Sequence, residues 1–278
     1  MPELPELQAH AERLEAAYAG RVLAAFRPLS FTALKTYDPP PEAAAGHRLD
    51  HVGRRGKYLL VGFDPLTFVV HLMQGGRLKP DEKQSAKPRG GLARWVFDDG
   101  SALLLTEAGT EKRAGVWVVD GDPTTQPPLD DLGPEADQAS PAELAAILGE
   151  RRGRLHGLLR DQGAVAGLGR RLANEVCHRA RLSPFANAAG LDEEEVGRLH
   201  RAIGETVAES LEYERGRDEM SRSADRPGAV HHREGEDCPV CGDEVRAVSY
   251  RSYTVNYCPT CQTEGRTLAD RTTSRFLK

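Results

Sequence analysis

The chain has no apolar run long enough to cross a bilayer and nothing resembling a secretory signal, so a reducing, cytoplasmic setting is expected. It has no internal repeat, no phosphate-binding glycine-rich loop with its lysine, and no dinucleotide fingerprint. Those absences argue against a metabolic enzyme built on a nucleotide cofactor. Aromatic residues make up only 6% of the 278, and the net charge is −5, so an overall basic surface is lacking as well. A hydrophobic content of 39% still supplies enough material for real cores. Cysteine is also scarce, five residues in all, but four of the five fall within one short stretch near the C-terminus.

That stretch reads Cys238-Pro-Val-Cys241, then sixteen residues, then Cys258-Pro-Thr-Cys261. Two Cys-x-x-Cys pairs at this separation fit a tetrahedral Zn²⁺ held by four thiolates. Such a site is closed, so the metal is structural and folds a module too small to stand alone. Two disulfides or four free thiols are the alternatives, and a reducing compartment opposes the first. Cys177 lies in a helical pattern and reads as buried and inert.

The other informative end is Met1-Pro2-Glu3-Leu4-Pro5-Glu6. Met1 is removed readily before proline, which leaves Pro2 with a free secondary amine. An α-amino group titrates near ~8, so part of it is neutral and nucleophilic at pH 7. Such an amine attacks an aldehyde or a sugar C1′ to form an iminium ion, and the Glu3 carboxylate stands beside it for proton transfer. The plainer alternative is that Pro2 and Pro5 only shape a helix start.

Between these ends the pattern divides into parts. Residues 4–19 carry Leu4, Leu7, Ala11, Leu14 and Ala17 at helical spacing. Strand-like runs follow at Arg21–Phe26, Tyr58–Phe63, Thr67–Leu72, Ala93–Phe97, Ala102–Thr106 and Gly115–Val119, which suggests a β-sandwich. Residues 120–141, with five prolines, read as a linker. From 142 to about 214 the pattern is helical, opened by a Ser140-Pro141 cap. Residues 215–236 read as a mobile polar loop. Segment 151–187 holds eight arginines against Asp161 and Glu175, a local +6 that is either a solvated face or a phosphate footprint.

Five pieces in order resemble the formamidopyrimidine-DNA glycosylase / endonuclease VIII family of base-excision repair enzymes. They are Pro2-Glu3-Leu4-Pro5-Glu6; Arg54-Arg55-Gly56-Lys57-Tyr58-Leu59-Leu60; Leu132-Gly133-Pro134-Glu135; Asp161-Gln162 through Ala166-Gly167-Leu168-Gly169 to Glu175; and Arg233-Glu234-Gly235 leading into the four cysteines, with Tyr257 before Cys258. The resemblance covers nearly the whole chain. It implies an α+β multidomain fold: an N-terminal helix with a β-sandwich (1–119), the linker (120–141), a helix–two-turn–helix domain (142–236), a zinc finger (237–264) and a tail (265–278). DNA with a damaged or abasic site would lie between the two main domains of a monomer, associated with the nucleoid in a bacterium. The activity implied is a bifunctional DNA glycosylase and abasic-site lyase. Pro2 would attack C1′, Glu3 would protonate the sugar ring oxygen, Glu6 would support the helix start, and Lys57 would hold a phosphate beside the lesion. The glycine turn would bring Gly169 and the amides of the next helix close to a phosphate.

Departures from the family pattern cluster in the DNA-handling parts. Arg170 stands where the family has asparagine, and His156 where it often has a phosphate-binding lysine. Tyr253 stands five residues before the third cysteine, where arginine is usual, and Arg251 lies two residues earlier. Met73 or Gln74 is the candidate wedge for the gap left by a flipped base. The second intercalating set is reduced to Lys112 and Arg113, followed by Ala114, with no aromatic wedge. The lyase centre is spared and base handling is altered, so the expectation is a divergent member favouring single-stranded, bubble or disrupted substrates. The alternative is a non-catalytic damaged-DNA-binding protein on the same scaffold.

Overall fold

The computed structural model describes residues 1–221, 225–250 and 253–268. The chain forms two compact units, Met1–Asp131 and Leu132–Lys278. No helix among the described residues is long and apolar enough to cross a membrane.

Unit 1 opens with helix α1 (Leu4–Tyr18), whose buried face is Leu4, Leu7, Ala11, Leu14 and Tyr18. That spacing puts one apolar stripe against the sheets. Eight strands follow: β1 (Leu23–Pro28), β2 (His51–Arg55), β3 (Tyr58–Phe63), β4 (Leu66–His71), β5 (Gly76–Pro80), β6 (Gly91–Phe97), β7 (Ala102–Glu107) and β8 (Gly115–Asp120). They build two antiparallel four-stranded sheets, ordered β1-β6-β7-β5 and β2-β3-β4-β8. Phe26, Phe63, Phe68, Trp95 and Phe97 meet across the layers, with Phe26 and Phe68 at 5.1 Å and Phe68 and Trp95 at 5.7 Å between ring centres. This is the expected β-sandwich flanked by an N-terminal helix.

The sequence reading missed β2 and β5, each an edge strand of its sheet, though it found the other two edges, β1 and β8. In these two strands one side is unpaired and few apolar residues are buried, so Gly, Arg, Lys and Pro are tolerated there and the alternating signal fades. Only Val52 in β2 and Gly76 and Leu78 in β5 are buried.

Unit 2 contains helices α2 (Pro141–Glu150), α3 (Leu155–Leu159), α4 (Arg170–Arg179) and α5 (Glu193–Arg215), strands β9 (Arg246–Ser249) and β10 (Thr254–Tyr257), and the short helix α6 (Pro259–Gln262). Ser140 caps α2 as expected, in a capping box with Glu143, and Asp192 does the same for α5 with Glu195. The buried face of α5 is Val196, Leu199, Ile203, Val207 and Ser210, at helical spacing. Residues 215–236 do not read in the structure as they do in the sequence. Ser221 and Arg226, both buried, bond to the carboxylate of Glu214, which is fully buried at the end of α5. Glu175 accepts the amides of Ala229, Val230 and His231 at 2.7, 3.2 and 2.8 Å. Polarity in this segment marks buried charge pairing, although residues 222–224 lie outside the described set.

Candidate active site and metal centre

The site in unit 1 begins with the start of α1. Glu3 is the N-cap in extended conformation, and it shares a capping box with Glu6, whose Oε2 accepts the Glu3 amide at 3.0 Å. Both carboxylates and Pro2 are buried. Pro2 is therefore fixed by the helix start and is not part of a frayed terminus.

Lys57 follows Gly56 in a two-residue turn between β2 and β3, where Arg55 pairs with Tyr58 and Gly56 takes φ +55°. That left-handed backbone suits glycine. Lys57 is 8% exposed, unusually low for a lysine. Sheet register then sets Tyr58 opposite His71, with ring centres 4.7 Å apart. The His71 imidazole is held neutral, its pKa lowered to about 4 by burial first, then by the nearby charges of Lys57 and the chain's amino terminus. His71 thus shares one electrostatic neighbourhood with Lys57 and the N-terminus, and sequence reading missed it. Its Nδ1 accepts the Met73 amide at 3.2 Å, which leaves Nε2–H as the donor.

The candidate wedge sits on a strained turn. Met73 has φ +52°, an uncommon value for a residue with a side chain. Gly76 is obligatory there, because a Cβ would lie 2.0 Å from the Leu72 carbonyl oxygen. Gln74 is exposed and Met73 half-exposed, so the turn presents both. The loop carrying Lys112 and Arg113 is organised by buried Glu107, which accepts the amides of Arg113 and Ala114 at 2.7 and 2.8 Å. Lys112 folds its Nζ back onto the Glu107 carbonyl, and Arg113 pairs with Glu111 at 2.7 Å in the open. Ala114 is buried and presents nothing.

In unit 2 the glycine turn is stitched by Gln162. Its Nε2 donates to the Arg160 and Leu168 carbonyls at 2.9 and 3.0 Å, and its Oε1 accepts the Gly167 amide at 3.0 Å. Gly167 has φ +98° and Gly169 caps α4, with Arg170 its first residue and half-exposed. The Leu132–Glu135 segment packs on this turn: Ala166 donates to the Pro134 carbonyl at 2.8 Å, and a Cβ on Gly133 would lie 2.4 Å from the Ala164 oxygen.

The arginine-rich segment is not a free cationic patch. Arg151 pairs with Asp161 at 2.9 Å, Arg154 donates to the Phe185 carbonyl, buried Arg171 donates to the Arg226 and Pro227 carbonyls, and Arg179 binds Glu205 and Glu209. His156, at the place of a phosphate-binding lysine, is 3% exposed, and its pKa falls to about 3 through burial and the neighbouring Arg160 charge. It is neutral and structural. It stacks on Tyr253 with ring centres 6.3 Å apart, Arg160 lies over Tyr253 at 4.3 Å, and Tyr250 stacks on Tyr253 at 4.7 Å. Tyr253 thus occupies the family's arginine position with an aromatic and cation stack. In the sequence Arg160 reads only as one of the eight arginines of segment 151–187. Arg251 lies outside the described residues.

The four cysteines converge. Cys238 and Cys261 sulfurs are 3.9 Å apart, Cys241 and Cys258 sulfurs 3.3 Å, and all five cysteines are free of disulfides. Gly242, at φ +77°, turns the first pair, with its amide on the Cys238 carbonyl at 2.9 Å. Ligand atoms on a tetrahedral thiolate-bound ion stand about 3.5–3.8 Å apart, so this donor set fits such a metal. Val230 and Val245 pack with Cys238 and Cys258 as the module's small core. Helix α4 contributes His178, whose Nε2 lies 3.3 Å from the Cys238 sulfur. Cys177 is fully buried with its thiol pKa pushed far up, as expected.

Comparison with known proteins agrees with this geometry. Residues 1–112 match the model of the formamidopyrimidine-DNA glycosylase N-terminal domain, and residues 132–221 that of the formamidopyrimidine-DNA glycosylase H2TH domain. A formamidopyrimidine-DNA glycosylase of Chloroflexus aurantiacus is 31% identical over 275 residues, covering 94% of this chain and 98% of that protein. The crystal structure of the MutM (Fpg) protein of Thermus thermophilus superposes with a TM-score of 0.79 at 30% identity, over 95% of this chain and all of that one. A Lactococcus lactis Fpg complex with abasic-site DNA shares the fold, with a TM-score of 0.83 at 21% identity over 94% of this chain and 99% of that one. With both domain models matched in order and the relative's full length covered, the chain belongs to the formamidopyrimidine-DNA glycosylase family.

Proposed function

We propose that this chain is a bifunctional DNA glycosylase and abasic-site lyase of base-excision repair, acting on damaged, oxidised bases. The observation that carries the reading is the buried Pro2-Glu3-Glu6 helix start, with Lys57 and His71 in the electrostatic neighbourhood of the N-terminus. Once Met1 is removed, the Pro2 nitrogen lone pair attacks C1′ of an extruded nucleotide. The N-glycosidic bond breaks and the base leaves with its electron pair; Glu3 then protonates the ring oxygen as the C1′–O4′ bond opens, and the Pro2 nitrogen gives its proton to solvent, which leaves the iminium ion. The C2′ proton then passes to water, the iminium ion accepts the electrons of that C–H bond, and the resulting enamine expels the 3′ phosphate, which leaves with the electrons of its C3′–O bond. Lys57 and the Nε2–H of His71 offer a positive charge and a donor to the flanking phosphate. Neutral His71 donates without adding a charge of its own, and the nearby Lys57 ammonium favours the unprotonated, nucleophilic amine.

The thiolate cluster would hold one structural Zn²⁺, which keeps the β9–β10 hairpin folded. The damaged-DNA partner of this monomeric chain is gripped through Gly169, Arg170 and the Arg160–Tyr253 stack, with Met73 or Gln74 in the gap. An aromatic step tolerates any base and favours unpaired strands. Together with the missing aromatic wedge after Arg113, it supports a preference for single-stranded or bubble DNA. Neutral, buried His156 favours the second reading, a damaged-DNA binder without catalysis.

Borohydride trapping on abasic and damaged oligonucleotides, paired or in a bubble, separates the two. A covalent adduct lost in Pro2→Gly supports the lyase. DNA binding without an adduct, in protein confirmed to lack Met1, sinks it. Equal activity on duplex and bubble sinks the strand preference.

A further inference from the structure

The metal cluster has one more donor than a tetrahedral ion needs. His178 Nε2 and the sulfurs of Cys238, Cys258 and Cys261 all lie within 4.8 Å of one another. Cys238, Cys258 and His178 are buried and Cys261 is half-buried. Cys241, the thiol outside this close set, is the exposed one. It follows exposed Val240 on the turn made by Gly242, and it reaches the cluster through Cys258 at 3.3 Å. The cysteine most open to solvent is therefore the one left out of a close set that already offers four donors, one of them a buried imidazole.

His178 cannot drift away from this position. It lies in α4, whose buried residues Leu172, Ala173, Val176 and Cys177 pack into unit 2, and Gln262 of α6 donates to the Leu182 carbonyl just beyond that helix at 3.0 Å. Cys261 belongs to α6 itself, so imidazole and thiolates ride on elements tied to one another.

We propose that His178 is a reserve ligand, and this rests on the metal reading above. With four thiolates on the metal, His178 donates Nε2–H to the Cys238 sulfur at 3.3 Å. A metal-ligating sulfur held this way is oriented by its neighbour. When Cys241 leaves, its sulfur–metal bond breaks and a bond from Nε2 to the metal forms. The imidazole stays neutral, its proton passing from Nε2 to Nδ1 through water, and the freed thiolate takes a proton from solvent. The ion changes from four thiolates to three thiolates and one imidazole, a donor set zinc also accepts. The finger then keeps its metal under conditions that modify an exposed thiol.

Metal content and native mass spectrometry of the full chain test this. Treating the metal-loaded wild type with iodoacetamide is expected to alkylate Cys241, the sulfur displacing iodide, with the metal retained. In His178→Phe the same alkylation should eject it. Cys241→Ser should carry one metal per chain, Cys258→Ser none, and the Cys241→Ser/His178→Phe double variant none. A cobalt(II)-loaded Cys241→Ser chain should show weaker sulfur charge-transfer absorption than wild type. His178→Phe alone is expected to lose about 10- to 100-fold in metal affinity. Metal loss from Cys241→Ser equal to that from Cys258→Ser, or metal retained by the double variant, overturns the reserve role alone. A wild-type chain without metal overturns the metal site, and the reserve role with it.

Discussion

The two units hold their functional residues in place by different means. In unit 1 the candidate chemistry is set by short backbone geometry: a capping box at Glu3 and Glu6, a two-residue turn at Gly56-Lys57, and a sheet register that sets Tyr58 against His71. In unit 2 the equivalent work falls to buried charges and a cysteine–histidine cluster able to hold a metal: Glu175 on three amides, Glu214 on Ser221 and Arg226, and the cysteines with His178. Local geometry leaves little room for substitution, and unit 1 keeps the family pattern at its candidate nucleophile Pro2. Long-range polar networks can be rewired partner by partner, and Arg170, His156 and Tyr253 of unit 2 depart from the pattern, while in unit 1 the departure falls on the loop at Ala114, away from the helix start.

The comparison can be broken most forcefully at the metal. A strong chelator should abolish the folding transition of unit 2 and DNA binding while unit 1 keeps its near-ultraviolet circular dichroism, since metal binding to such modules is worth on the order of 10 kcal/mol. Loss of both units together would show that unit 1 is not self-sufficient.

Next in size is Glu214→Ala. It leaves the Arg226 guanidinium buried without its carboxylate, and scanning calorimetry should record about 3–5 kcal/mol of destabilisation. Glu107→Ala in unit 1 should cost less, about 1–3 kcal/mol for lost bonds to two loop amides. An equal cost at the two sites would erase the contrast.

Acid sharpens the comparison further. His71 and His156 have folded pKa values of about 4 and about 3, below the ordinary 6.5. The unfolded chain therefore binds more protons below pH 6.5, and the stability these groups contribute is complete above that value. It is lost as pH falls from 6.5 towards the folded values. At pH 5 each should cost roughly 1–2 kcal/mol, read as a lower Tm in scans between pH 7.5 and 5. His156→Phe should flatten that slope in unit 2.

The smallest effect is expected from Arg113→Ala. Its ion pair with Glu111 is open to water on both sides, so stability should change by less than about 0.5 kcal/mol. A measurable fall in DNA affinity would return Arg113 to the DNA-contact set.

The ends of the chain were legible because their signals are local. A helix start at Leu4 follows from the cap and apolar spacing, and four thiols in two turns specify a metal site without distant help. Strands β2 and β5 were not legible, since these two bury only Val52, Gly76 and Leu78 and so carry little apolar alternation. The loop after Arg215 read as mobile because Ser221 and Arg226 find their partner at Glu214 and its backbone amides find theirs, some fifty residues away, at Glu175. The arginine cluster read as ambiguous for the same reason, its partners being Asp161, Glu205, Glu209 and distant carbonyls.

By itself, then, the sequence determined the nucleophile candidate Pro2, its neighbour Glu3, the thiolate set and the order of the pieces, because spacing along a few residues fixes cap and turn geometry. Tertiary structure alone decided that His71 joins Lys57 and the N-terminus, that His156 is neutral, that Arg160 lies on Tyr253, and that His178 faces Cys238. Each of those depends on burial or on pairing across many residues, and neither strand register nor the packing of α4 against the finger is written in any local pattern.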